Sequence, residues 1–101
     1  MTPGPDAPTE ALALSPRVRH RAVGEDGVVV HLDRGRVLVV NEVGLRIVQM
    51  LQQPISKARI TERLVEEFEV SLDDAQADLD EFLKELDAEQ VIEIRPTQSS
   101  V

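Results

Sequence analysis

The stretch DRGRVLVVNEVG, Asp33 to Gly44, decides how the rest of this chain is read. It passes from a turn signal, Asp33-Arg34-Gly35, into four consecutive β-formers, Val37-Leu38-Val39-Val40, and then directly into a helix start at Asn41. A strand that is apolar on both faces normally sits deep inside a sheet. A chain of 101 residues makes one small domain, with little material to cover a second face. What lies against the second side of Val37–Val40 is therefore the question on which function turns.

Working backward, Val28 to Leu32 (VVVHL) reads as the partner strand of a hairpin. Gly35 suits the left-handed position that closes a three-residue loop. That loop places Val30 opposite Leu38 and Val28 opposite Val40 on one side, with Val29, His31, Val37 and Val39 on the other. Gly24-Glu25-Asp26-Gly27 is a turn by composition, and Arg17 to Val23 (RVRHRAV) reads as a half-exposed edge strand. Its arginines, Arg17, Arg19 and Arg21, fit the charged edge that discourages aggregation; an acidic partner segment is the alternative. Residues 1–15, with three prolines and no periodicity, read as a disordered arm.

Working forward, three helices follow. Asn41 caps the first, whose stripe is Val43, Ile47, Met50 and Leu51, and Gln52-Gln53-Pro54 ends it. Gly44 in its first turn signals either a close approach or chance. Ser56 caps a second helix running to Phe68, with Ile60, Leu64 and Phe68 on one face. Ser71 with Asp74 resembles a capping box opening a third, with stripe Leu72, Ala75, Leu79, Phe82, Leu83 and Leu86. Val91 to Ile94 reads as a last short strand and residues 95–101 as a flexible tail. The expected fold class is α+β: a winged-helix-like βββααα chain with a three-stranded antiparallel sheet packed on three helices.

Charge and composition then exclude functions. The net charge is −8, unevenly spread: Pro16 to Val65 holds nine basic and five acidic residues, whereas Glu66 to Glu93 holds twelve acidic residues and the single Lys84. A winged helix bound to DNA would place the third helix against phosphates, and its acidic surface would be repelled. Neither nucleic acid nor membrane is expected as a partner: no apolar run approaches the roughly 20 residues of a membrane span. Without cysteine there are no disulfides, thiolate metal sites or thiol nucleophiles, and His20 and His31 alone make a poor metal site. His31 reads instead as a group that touches a partner. The pairs Glu66-Glu67 and Asp73-Asp74 read as solvated helix surface rather than acid–base machinery. Phe68 and Phe82, the only aromatics, do not make a stacking platform. MTPGPDAPTE lacks the features of a signal peptide, so a cytoplasmic location is expected. No enzyme, metal or cofactor is expected. For the strand, two readings stay open. Either helices cover one face and self-association or nothing covers the other, or an extended peptide adds to its edge.

In their order and spacing these residues resemble a known family. VVVHLDRGRVLVVNEVGLRIVQML is similar to the core of PqqD-like proteins, with a hairpin followed by Asn41-Glu42-x-Gly44. RITERLVEEFEVSLDDAQADLDEFLKELDAEQVI resembles the two closing helices, through Phe68-x-Val70 and Asp78-x-x-x-Phe82-Leu83-x-x-Leu86. The resemblance covers about Val18 to Ile94 and implies a PqqD-like peptide-recognition domain over residues 16–94. Such proteins are winged-helix-like modules without catalysis of their own. They bind the leader of a ribosomally made precursor peptide and present it to a modifying enzyme, a radical SAM enzyme or a protease. The leader is held as an added strand beside the third helix. Carried onto this chain, the resemblance implies a peptide site at Arg36, Val37, Leu38, Val39 and Val40 of the strand, and at Asp74, Ala75, Asp78, Leu79 and Phe82 of the helix. The quinone-pathway members tend to end in a Gly-Trp-like pair where this chain has Gln90-Val91. The alternatives are a winged-helix transcriptional regulator or adaptor, and a homodimer formed by strand exchange.

Overall fold

In the computed structural model, residues 10–96 are described. The elements in order are β1 (Glu10–Leu14), β2 (Val18–Val23), β3 (Asp26–His31), β4 (Arg36–Val40), α1 (Glu42–Met50), α2 (Lys57–Phe68), α3 (Leu72–Ala88) and β5 (Ile92–Pro96). β2, β3 and β4 form a three-stranded antiparallel sheet in that order, and β1 pairs with β5 in a second, two-stranded one. The α+β class and the βββααα core are as the sequence indicates; β1 is added, and the expected last strand forms as β5, reaching two residues into the expected tail.

β1 corrects the expected arm. Glu10–Leu14 is a strand held on both sides. Leu12 exchanges backbone hydrogen bonds with Ile55 (2.8 and 3.0 Å), and the Leu14 and Ser15 amides donate to the carbonyls of Leu51 and Val91 (2.9 and 2.8 Å). Ala11 and Ala13 are buried there. The period-2 alternation of ALAL is a strand signal, but its partners lie some 40 and 80 residues away and cannot be read locally. The rest of the arm (1–9) and of the tail (97–101) lies outside the described residues.

The hairpin register also differs. The loop has four residues, Leu32 to Gly35, so Val28 faces Val39, Val29 faces Leu38 and Val30 faces Val37. Gly35 is left-handed (φ 64°), as expected, and its amide reaches back to the His31 carbonyl (2.9 Å). The Leu32 amide is drawn to the Arg17 carbonyl (2.8 Å). A shift of one residue re-sorts the faces. Val18, Val29, His31 and Val40 form the buried side, while Val37 and Val39 stand 60 % and 76 % exposed on the other with Val28 and Val30. His31 is therefore a core residue; its Nδ1 accepts from the Asp33 amide (3.2 Å), so it is not the partner-facing group the sequence suggested.

Side chains cap all three helices. The Asn41 Oδ1 accepts from the Gly44 amide (2.8 Å), Ser56 Oγ from Arg59 (3.1 Å) and Ser71 Oγ from Asp74 (3.1 Å). α2 stops where Glu69 turns left-handed (φ 54°). The helical stripes meet over the sheet in one core containing Val29, Ile47, Val48, Leu51, Ile60, Leu64, Leu79, Leu86 and Val91. Leu72, at the start of its stripe, is instead exposed.

Candidate binding groove

Among the described residues β4 is the last strand of its sheet, so one row of its backbone groups has no strand partner there. Which residues own that row follows from the ladder. The bond from the Leu32 amide to the Arg17 carbonyl marks a hydrogen-bonded pair next to Val18–His31. In an antiparallel ladder bonded and non-bonded pairs alternate. Val28 and Val30 accordingly bond toward β2, and Gly27, Val29 and His31 bond toward β4. On β4, Arg36, Leu38 and Val40 thus turn their backbone groups to β3, and Val37 and Val39 turn theirs to the open edge.

Beside that edge a groove separates β4 from α3. One cavity of about 540 Å³ is lined by Leu38, Val39, Val40, Phe82, Leu86 and Glu89 among others. It continues at Asn41, Phe82 and Glu85 into a second of about 300 Å³ over Val43, Gly44 and Ile47, rimmed by Asp78, Glu81 and Glu85. Gly44 fixes the meeting point of the three elements. A Cβ there would lie 2.9 Å from the Val40 Cβ and 3.1 Å from the Phe82 Cζ, so only glycine lets α1, β4 and α3 converge. The groove is closed at its other end. Arg36 Nε and Nη2 donate to the two carboxylate oxygens of Glu89 (2.9 and 3.0 Å), tying the start of β4 to the end of α3.

Charges elsewhere brace the scaffold. Arg46 on α1 makes a bidentate pair with Glu67 on α2 (2.7 and 3.0 Å), and its hydrogen bond holds the Glu67 carboxyl below the ordinary range. Arg17 likewise grips Asp33 in the hairpin loop (2.9 and 3.1 Å) and lowers its carboxyl through the same kind of bond.

The structure sorts the residues expected in the site. Leu38, Val39, Val40 and Phe82 line the larger cavity, Asp78 lines the smaller, Val37 offers its backbone at the edge, and Arg36 closes the end. Ala75 and Leu79 do not reach the groove: they are 2 % and 0 % exposed in the core. Their periodicity alone assigns them to the core stripe. Asp74 is an exposed residue of the first turn of α3 and lines neither cavity. Lining the two cavities but not expected there from sequence are Asn41, Val43, Gly44, Ile47, Glu81, Glu85, Leu86, Ala88 and Glu89. Glu81, Glu85 and Glu89, spaced with Asp78 and Phe82 along one face of the helix, carry the signal that finds them.

Known proteins match at two levels. The sequence model of the family described as Coenzyme PQQ synthesis protein D (PqqD) matches residues 26–92. No curated protein matches. A solved structure of TbiB1 in complex with the TbiA(beta) leader peptide superposes with a TM-score of 0.74 at 25 % identity, covering 80 % of this chain and 94 % of that one. A second, lasso peptide synthetase B1 complexed with the leader peptide, has a TM-score of 0.70 at 23 % identity, covering 81 % and 96 %, and shares the fold. With the match spanning the hairpin, all three helices and the start of β5, this chain belongs to the PqqD family.

Proposed function

We propose that this chain is a non-enzymatic peptide-binding module. It takes the leader of a ribosomally made precursor peptide as an extra strand on β4 and presents it to a modifying enzyme, such as a radical SAM protein or a leader protease. The observation that carries the reading is the outward row of Val37 and Val39 backbone groups beside an apolar groove. An added strand supplies the missing hydrogen bonds, and its alternate side chains enter the groove. The remaining side chains emerge beside Val37 and Val39 on the open face, which suits presentation. TbiB1, solved with a leader peptide bound, supports the reading through its shared fold.

The acidic surface of α3, with Asp73, Asp74, Asp78, Glu81 and Glu85 exposed, speaks against a nucleic-acid regulator. The test is a titration of isotope-labelled protein with short peptides encoded beside its gene. The amides of Val37–Val40 and of the α3 groove face should shift. If those amides stay still while another surface moves, strand addition is wrong; salt-dependent binding of duplex DNA would instead establish the regulator.

A further inference from the structure

The smaller cavity differs in kind from the rest of the groove. Its floor is apolar, made by Val43, Gly44, Ile47 and the ring of Phe82, while its rim is Asp78, Glu81 and Glu85. The three carboxylates fall on one face of α3 and make no ion pair among the described residues. Glu89 differs: Arg36 already neutralises it at the closed end. The groove is thus balanced at its β4 end and unbalanced at its α1 end.

An apolar floor under a carboxylate rim matches one kind of side chain, a long aliphatic stem ending in a cation. Lysine and arginine lay such stems along apolar surface and keep the charge at the rim. Phe82 adds a ring face toward which a cation is drawn. A purely aliphatic or acidic side chain would leave the three carboxylates uncompensated or repelled. A strand paired with Val37 and Val39 runs past Val40 to Asn41, which lines both cavities, so the residue just beyond the paired stretch meets this one.

We propose that the cavity between α1 and α3 selects a lysine or arginine at one fixed position of the bound peptide, immediately beyond the segment paired with β4. Resting on strand addition at β4, the inference names the specificity of that site. It makes charge, and not only the apolar pattern, the feature by which this chain recognises its peptide.

The experiment is a selection from a displayed library of random 12-residue peptides against the intact chain, followed by synthesis of the enriched sequences. Enriched peptides that shift the Val37 and Val39 amides should carry Lys or Arg at one constant position. Replacing that residue by norleucine should weaken binding about tenfold, a few-fold for each lost exposed ion pair. In an Asp78→Asn, Glu81→Gln, Glu85→Gln variant, shown folded by circular dichroism, the same replacement should have almost no effect. If enriched peptides shift those amides but carry no constant basic residue, or the two losses simply add, the charged cavity is refuted and strand addition stands. If basic peptides bind without moving those amides, strand addition itself fails, and this assignment with it.

Discussion

The phase of the β4 ladder can be tested without any ligand, by placing proline at two adjacent positions. If Val39 turns its amide to the open edge, Val39→Pro removes no hydrogen bond from the fold. The Val39 side chain is 76 % exposed, so little packing is lost. What remains is the restriction of φ, about 1 kcal/mol in an edge strand. Leu38 is the opposite case. Its amide faces Val29 across the ladder and its side chain packs against the core, so Leu38→Pro should cost about 3 kcal/mol or more. With a urea slope of about 1 kcal/mol per molar for a domain of this size, the two midpoints should fall by about 1 M and about 3 M. Amide exchange gives the same answer residue by residue: Leu38 and Val40 protected, Val37 and Val39 fast. Folded Val39→Pro protein should then fail to bind a peptide that the parent binds, since the ring removes a donor and blocks the incoming strand. Equal destabilisation by both prolines, or protected amides at Val37 and Val39, would refute the assignment; protection at those two with fast exchange at Leu38 would move the open row to Leu38.

Other perturbations probe the supports of the groove. Gly44→Ala should destabilise by about 1–3 kcal/mol despite alanine's helix preference, because its Cβ meets Val40 and Phe82; a stabilised variant in thermal melts would show the convergence to be loose. Leu79→Ala should cost about 2–5 kcal/mol and Asp74→Ala under about 1 kcal/mol, separating core from surface by urea denaturation. Glu67 has its pKa lowered by Arg46, so its contribution is present above the ordinary carboxylate range and lost as pH falls through the lowered value. Arg46→Ala should therefore cost about 0.5–1 kcal/mol at neutral pH, a part-exposed pair, and progressively less as pH falls through that lowered value; a cost that does not change with pH would show packing rather than charge at work.

The helices were legible because their signals are local. Asn41, Ser56 and Ser71 each cap where the sequence places them, and Ile47, Leu51, Ile60, Leu64, Leu79 and Leu86 enter the core from their stripes. What escaped depends on distant or degenerate information. The register of β3 on β4 turns on one loop residue, and four adjacent valine or leucine positions look alike in either phase. β1 needs β5 and Ile55, which no local pattern joins to it. The strand and helix that the resemblance names do border a cavity, but which helix face borders it needed the three-dimensional crossing: Ala75 and Leu79 point into the core, while Glu81, Glu85 and Glu89 flank the cavity.

The two edges of the three-stranded sheet are treated differently, and the difference bears on what occupies β4. The β2 edge carries Arg19 and Arg21, exposed charges that oppose strand pairing. Along Val37 to Val40 the β4 edge has no charge at all, and Arg36 beside it is engaged by Glu89. Leaving that edge bare invites a strand, and a second copy of this chain is the simplest candidate. Pairing two β4 edges about a two-fold axis, however, would bring two α3 helices over the same seam, each lined by Asp78, Glu81 and Glu85. Such like charges repel, more so at low ionic strength, in a chain whose net charge is already −8. A peptide brings no such helix, and one with a basic residue converts the repulsion into attraction. The carboxylates that oppose DNA thus also oppose self-pairing through this edge, an electrostatic argument in favour of the foreign strand proposed above.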